Sequence, residues 1–306
     1  KLSQSRKWVL LVMKITFGMI VFNGNYVLEE VLASVYPYAH QILIAEGPVQ
    51  FWQSTGRVTS SDGTNQIIDN FPDPDNKISI THGLYSEKEE QCNAYIKNLS
   101  PDTDYVWNLD SDEVFKPEDI EKVISLLEKE RYTTVGFKSC SFYGGFDKIL
   151  GGFEENAEFN RVCKVYPGST WASHRPPRMK HEVEGLPEKH LDFNELYKEH
   201  GVRMYHYSYV FPYQVAQKVA YYKAAVSKDH CIDNYFDEVY LPWVTGDELQ
   251  KSLVEHKYEG VHEFKPKSRG ECKTKDFNGE HPKIIKESMP KLKNRFVEQL
   301  SEFVHK

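Results

Sequence analysis

The common nucleotide-binding loops are missing from this sequence. No GxxxxGK followed by Ser or Thr occurs in the 306 residues, so the P-loop enzymes are unsupported. GxGxxG is absent, which weighs against a dinucleotide oxidoreductase, and there is no GxSxG elbow to present a serine nucleophile. Cysteine is sparse. Cys92, Cys140, Cys163, Cys231 and Cys272 form no CxxC pair, so no zinc ribbon or thioredoxin-like motif is encoded. Their odd count and wide spacing fit reduced thiols and a cytoplasmic location. Positive charge is in deficit: 38 Lys and Arg face 45 Asp and Glu, a net of -7, which argues against nucleic acid as partner. Long apolar runs are lacking too. Trp8 to Phe22 is interrupted by Lys14 and is too short and polar for a signal peptide or a transmembrane segment, leaving only peripheral membrane contact open. There is no internal repeat and no low-complexity tract.

What remains is an ordinary globular composition long enough for about two domains, or for one large α/β unit with an extension. Tyr and Phe are abundant, at 19 and 17, and serve cores first and sugar-stacking surfaces second. Met13 before Lys14-Ile15-Thr16 reads as a start ahead of a first strand, which makes residues 1–12 a leader, a tag remnant or a misplaced start.

The first half alternates strands and helices, the signature of a parallel sheet with helices on its faces. Lys14 to Phe22 is apolar and β-rich, and Asn23-Gly24-Asn25 turns the chain. Leu28, Val31, Leu32 and Val35 follow at helical spacing up to Pro37. Gln41 to Ala45 is a buried strand that ends at Glu46-Gly47-Pro48, and 53–76, rich in small polar residues, reads as a loop. Lys77 to Thr81 is a third strand, and Ser86 with Glu89 forms a capping box on a helix over 87–98. Tyr105 to Leu109 is a fourth strand, and Pro117 opens a helix with Ile120, Val123, Ile124 and Leu127 on one face. Beyond it, Thr133 to Phe142 and Arg161 to Tyr166 look extended, Gly144, Gly145, Gly151 and Gly152 mark a mobile loop, and helices are expected at 212–228 and 283–304.

The fourth strand runs straight into Asp110-Ser111-Asp112-Glu113. In an open parallel sheet, ligands bind beyond the carboxyl ends of the strands. If the chain is still extended there, Asp110 and Asp112 point to the same side. Two carboxylates held close either raise a pKa or recruit a cation. Mg²⁺ and Mn²⁺ take oxygen ligands, and Mg²⁺ shares its shell between carboxylates and substrate phosphates. Capping of the following helix, or decoration of a solvated turn, is the competing role for these residues.

Strand one with Asn23-Gly24-Asn25, strand two ending in an acid, and YVWNLDSDE together resemble the nucleotide-binding half of family-2 type glycosyltransferases with the GT-A fold, over residues 13–225. The resemblance implies a GT-A-like (Rossmann-like) α/β fold, with a mostly parallel central sheet flanked by helices and a C-terminal helical extension. It divides the chain into a nucleotide-sugar-binding half (13–115), an acceptor-binding half (116–225) and an extension (226–306). By that resemblance Asp110 and Asp112 hold Mn²⁺ or Mg²⁺ on the donor diphosphate, with Ser111 between them. Glu46 takes the place of the acid that contacts base or ribose, and Phe22 and Asn23 belong to the same donor side. Asn93 matches a recurrent Asn, while Cys92 stands where an Arg is common; Lys88 either replaces that cation or is a solvated helix lysine.

Trp171 to Glu182 (WASHRPPRMKHE) is similar to the Trp-then-His-Glu segment of the lipopolysaccharide-core glucosyltransferase branch. The match makes Glu182 the base that deprotonates the acceptor hydroxyl and His181 its neighbour, with Glu184 as local competitor. Val202 to Tyr209 (VRMYHYSY), followed by Gln214 and Lys218, resembles the same branch and makes His206 the third metal ligand. Lys218 faces phosphate or solvent. Arg175 and Arg178 grip an anionic acceptor or the diphosphate, or cover an exposed loop. Trp171 and Tyr143 stack on a sugar or pack in the core, and His281 is a turn residue or a ligand.

The function implied is inverting, metal-dependent transfer of a sugar from a nucleoside-diphosphate-sugar to a hydroxyl acceptor, whether glycan, lipopolysaccharide-type or protein-linked. A sugar-nucleotide nucleotidyltransferase is the rival enzyme, but the Gly-rich, basic loop it uses after strand one is here Phe22-Asn23-Gly24-Asn25. A non-catalytic carbohydrate-binding protein is the other alternative.

Overall fold

The computed structural model of the chain describes residues 13–225 and 230–304. The expected leader or tag at 1–12 and the end of the expected 212–228 helix lie outside them.

The first half runs β1 (Ile15–Val21), α1 (Leu28–Val35), β2 (Gln41–Glu46), α2 (Gln50–Gln53), α3 (Thr64–Asn70), β3 (Ile78–His82), α4 (Lys88–Ile96), β4 (Tyr105–Asp110), β5 (Glu113–Val114) and α5 (Pro117–Glu130). The middle adds β6 (Thr134–Phe137), β7 (Ser139–Tyr143), β8 (Lys148–Leu150), α6 (Gly152–Glu155), β9 (Phe159–Lys164), β10 (Thr170–His174) and β11 (Pro177–Lys180). After these come β12 (His190–Leu191), α7 (Phe193–His200), β13 (Met204–Tyr209) and α8 (Pro212–Ala225). The remainder holds α9 (Leu241–Thr245), α10 (Glu248–Lys257), α11 (Pro266–Arg269), β14 (Thr274–Asp276) and α12 (Lys283–Val304).

β1 is buried along its whole length, as a strand covered on both faces must be. It pairs in parallel with β2 on one side and β4 on the other, inside a seven-stranded sheet of order β12-β6-β9-β4-β1-β2-β3. Only β9 runs against its neighbours, so the sheet is mostly parallel, as expected. Phe17, Trp107 and Phe137 stack across β1, β4 and β6 with ring centroids 5.4 and 5.3 Å apart. Each such buried ring contributes at most about 4–6 kcal/mol before ordering costs, the upper bound set by an extended unfolded chain.

The register brings the strand ends level. Val21 lies beside Glu46, and Ile20 beside Asp110, so the carboxyl ends of β1, β2 and β4 form one edge. From β4 the chain turns through Ser111 and Asp112 into β5, which belongs to a second sheet of order β14-β8-β7-β13-β5. The acidic turn is therefore the joint between two sheets.

Three expectations are corrected. The 53–76 stretch contains α3, because the Asp62 carboxylate accepts hydrogen bonds from Thr64 N (3.1 Å) and Thr64 Oγ1 (2.6 Å), and Ile68 is buried. The glycine-marked segment is no open loop, since β8 pairs with both β7 and β14. At α4 the partner of Ser86 is Glu90, not Glu89, with its carboxylate accepting from Ser86 N at 2.6 Å and Oγ at 2.7 Å. The C-terminal region is knit into the rest. α12 buries Ile285 and Leu292 in the main core, and Arg295 donates to the carbonyls of Asn25 (3.1 Å) and Tyr26 (2.5 Å). Among the described residues no helix is long and apolar enough to cross a membrane.

Candidate functional site

Asp110 closes β4, and its Oδ2 accepts a hydrogen bond from Arg161 Nη2 at 3.2 Å. Arg161, from β9, also holds Glu113, with Nε 2.8 Å from Oε2 and Nη2 bonded to Oε1, while its Nη1 donates to Asn160 O at 3.4 Å. Glu113 is wholly buried, and its Oε2 also accepts from Asp110 N at 3.2 Å, which fixes the turn. Burial opposes ionisation of Asp110, yet Arg161, then His174 and Lys88, hold its carboxyl well below the usual range. Burial pushes Glu113 up despite the same arginine.

His206 arrives from β13. That strand runs antiparallel to β5 with His206 opposite Glu113, and Tyr207 N donates to Asp112 O at 2.8 Å. The imidazole Nε2 lies 3.3 Å from Asp112 Oδ1, while Asp112 Oδ2 accepts from Gln214 Nε2 at 2.7 Å. Burial would lower the His206 pKa, but Asp112 outweighs it and raises it. Asp112 is held below its ordinary value because His206 outweighs burial.

These groups face a cavity of about 690 Å³. Phe22, Asn23, Lys88, Asp110, Ser111, Asp112, Arg175, His206 and Lys218, all singled out from the sequence, line it. Lys88 stacks over Tyr221 at 4.9 Å and Arg175 over Tyr222 at 4.4 Å. Among the described residues no carboxylate pairs with either cation. Burial, aided by the neighbouring Arg175, brings the Lys88 ammonium down to about 7.

The donor set fits a divalent cation. Asp110, Glu113 and His206 offer ligand atoms within 4.8 Å of one another, and His206 Nδ1 is buried without a hydrogen-bond partner. Carboxylate oxygens with one imidazole suit Mn²⁺ and tolerate Mg²⁺. Arg161 engages both Asp110 and Glu113 of this group, and Asp112 adjoins it through His206 Nε2 at 3.3 Å.

Other expected residues lie away from this wall. Glu46 is buried and does not line the cavity, its carboxylate accepting from Ser60 N at 2.7 Å and meeting His82 Nδ1 at 2.9 Å, which ties β2 to the 59–60 loop. Asn93 is spent on Trp171, receiving its backbone N–H at 2.8 Å and donating to its carbonyl at 3.0 Å, which anchors β10 on α4. Trp171, at 1% exposure, and Tyr143, at 0%, are core residues with no face free to stack on a sugar. Arg178 is exposed on β11 outside the cavity. His181 bonds Ser169 Oγ at 2.8 Å, and Glu182 is exposed beyond the β10–β11 hairpin, alongside Gly168. Neither lines the cavity, because the hairpin turns back at Arg175–Pro176 and carries its second strand outward. His281 is a structural residue, its Nδ1 2.8 Å from Tyr207 Oη and its Nε2 2.9 Å from Phe146 O.

The sequence reading missed Arg161, Glu113, Tyr209, His262, Glu263 and Arg269, of which all but Glu113 line the cavity. The chain holds two His-Glu pairs, at 181–182 and 262–263, and the structure brings the second into the cavity. Val261-His262-Glu263-Phe264 sets two polar residues between apolar ones, a signal that was available but lay in the region set aside as an extension.

The sheet order and the acidic turn on its edge define a GT-A-like α/β protein. Residues 59–175, well under half of the chain, match the family model for Glycosyl transferase family 2. No curated protein matches the chain. Among solved structures, TarS 1-349 from S. aureus aligns at 15% identity over 42% of this chain and 36% of its own, with a TM-score of 0.32. The same TarS fragment in complex with UDP-GlcNAc aligns at 15% identity and TM-score 0.32, over 42% of this chain and 35% of its own. A 4-diphosphocytidyl-2C-methyl-D-erythritol synthase from Anaerococcus prevotii aligns at 18% identity over 41% of this chain and 56% of its own, with TM-score 0.30. The chain thus spans little more than a third of the TarS fragment it matches.

Proposed function

We propose that the protein is a metal-dependent glycosyltransferase that moves a sugar, with inversion, from a nucleoside-diphosphate-sugar to a hydroxyl acceptor, in the first place a glycan. The observation that carries this reading is the meeting of Asp110, Asp112 and His206 with the cations Lys88 and Arg175, unpaired among the described residues, in one cavity at the sheet edge. Carboxylates and an imidazole suit a divalent cation, and free cations suit phosphate oxygens. The family match over 59–175, which includes the acidic turn, supports the same chemistry.

In this reading 13–115 supplies Phe22, Asn23, Lys88 and the acidic turn to the donor. Residues 116–225 supply Arg161, Arg175, His206 and Lys218, and 226–306 closes the acceptor side. Mn²⁺ or Mg²⁺, when bound, offsets charge developing on the departing diphosphate. Arg161 keeps Asp110 ionised and turned to the cavity, Gln214 orients Asp112, and Lys88 and Arg175 hold phosphate oxygens.

Thermal denaturation with UDP, GDP and dTDP, with and without Mn²⁺, tests the proposal. A ligand at a hundred times its Kd stabilises by about 2.7 kcal/mol, so a shift that needs both nucleotide and Mn²⁺ is expected. A response to free sugars alone would instead mark a carbohydrate-binding protein. Turnover of a sugar phosphate with a nucleoside triphosphate would mark a nucleotidyltransferase.

A further inference from the structure

Beyond the acidic turn, the cavity wall holds a second set of buried polar groups. Glu263 is 2% exposed and accepts a hydrogen bond from the Tyr209 hydroxyl. His262 lies beside both, with Nε2 3.0 Å from Tyr209 Oη and Nδ1, which accepts from Phe264 N at 3.2 Å, 3.0 Å from Glu263 Oε2. The Lys218 ammonium sits over the Tyr209 ring, 3.9 Å from its centroid, and bonds Ser208 Oγ. Glu263, His262, Tyr209 and Lys218 all line the same cavity as Asp110 and Asp112.

Two elements tie this set to the acidic turn. β13 carries both His206 and Tyr209. Three residues apart on a regular strand they would face opposite ways, but the pairing with β7 shifts register between them, and such an irregularity re-aims a side chain. α8 carries Gln214, bonded to Asp112, and one turn later Lys218, beside Tyr209. A helical turn and three strand residues correspond to separations of about 6 and about 10 Å, room for one sugar ring between the two sets.

We infer that Glu263, from the region outside the family match, is the carboxylate that takes the acceptor's proton. This rests on the glycosyl-transfer reading above. Two other carboxylates line that wall, Glu154, which accepts from Ser141 Oγ at 2.9 Å, and Glu158, which meets His190 Nε2 at 2.8 Å; Glu263 is the one that accepts from Tyr209, on the strand that carries His206. In the step, the acceptor O–H gives its proton to Glu263 while its oxygen forms the bond to the anomeric carbon. The bond from that carbon to the donor phosphate oxygen breaks, its electron pair leaves on the nucleoside diphosphate, and Glu263 later returns the proton to solvent. Tyr209 and His262 position the carboxylate.

The test uses the full chain with Mn²⁺ and a panel of UDP-, GDP- and dTDP-hexoses. It follows nucleoside diphosphate release in the presence of simple sugar acceptors, and UDP, GDP and dTDP binding by calorimetry. E263Q is expected to bind nucleotide within threefold of wild type and to lose about 10²–10⁴-fold in turnover. Turnover within threefold of wild type overturns the assignment, as does an active E263Q beside an inactive E182Q. If E263Q does not fold, E263D decides: it keeps the charge but withdraws the carboxylate, so turnover at least tenfold down with nucleotide binding intact is expected, and wild-type turnover overturns the inference. A wild-type chain that binds none of the nucleotides with Mn²⁺ overturns the glycosyl-transfer reading, and Glu263 as base falls with it. Nucleotide binding with an active E263Q overturns the base alone.

Discussion

His206 Nε2 lies 3.3 Å from Asp112 Oδ1, although 94 positions of sequence separate the two. The pairing of β13 with β5 sets this contact, because it puts His206 across from Glu113, the residue after Asp112. Under the proposed function, Asp112→Asn removes a charge that a bound cation would need while retaining an oxygen for Gln214. Affinity for nucleoside diphosphate in the presence of Mn²⁺ should fall at least tenfold, with little change in affinity measured without metal. Paired calorimetric titrations check this.

Arg161 is the structural tie of the acidic turn, spanning Asp110 and the fully buried Glu113. Arg161→Met leaves the Glu113 charge unpaired, at an expected cost of about 3–5 kcal/mol by urea denaturation. Pairing it with Glu113→Gln should recover much of that loss, since both buried charges are then gone. The sign with pH is fixed by burial, which raises the Glu113 pKa. A carboxyl raised in the folded state loses stability as pH rises past its unfolded value, about 4.3, so the single variant should suffer more at pH 8 than at pH 5.

The parallel strands and the acidic turn were legible in the sequence because each is a local pattern: an apolar run, a turn, a carboxylate pair at the strand's end. β1, β2, β3 and β4 fall within a residue or two of their expected positions. Asp110, Asp112 and His206 line one cavity, while the group whose ligand atoms all lie within 4.8 Å is Asp110, Glu113 and His206. What the sequence did not show is long-range. Arg161 looks like any strand arginine until β9 is laid beside β4. Glu46 ends a strand as expected, and its hydrogen bonds from Thr59 and Ser60 could not be read from the sequence. Two His-Glu pairs are equivalent as text, and only the course of the hairpin and of the C-terminal region separates them.

Lys88 offers a test of the proposed donor site. Burial, with Arg175 beside it, depresses its pKa to about 7, so near pH 7.5 much of it is neutral. A diphosphate brought next to it favours the charged form and raises that pKa. Nucleotide binding at pH 7.5 should therefore take up protons, measured as a dependence of calorimetric enthalpy on buffer ionisation enthalpy with Mn²⁺ held saturating. At pH 5.5, where Lys88 is already charged, this uptake should vanish. Lys88→Met should lack it at both values.

Gly47 provides a purely steric prediction. It follows β2, lines the cavity and has φ +142°, and a Cβ there would fall 1.9 Å from the carbonyl oxygen of Gly83. Neither backbone can yield easily, for Gly47 N donates to Val21 O at 3.0 Å and Gly83 N to Glu46 O at 3.0 Å. Gln91 Nε2 adds a further bond to Gly47 O at 3.2 Å. Gly47→Ala should cost more than about 2 kcal/mol, combining the left-handed penalty with a backbone clash. Gly56 also has positive φ, at +82°, but nothing lies within 4 Å of where its Cβ would be. Gly56→Ala should cost only about 1 kcal/mol, the conformational part alone. Equal urea midpoints for the two variants would mean that the loops after β2 and β3 are not packed as tightly as their hydrogen bonds indicate.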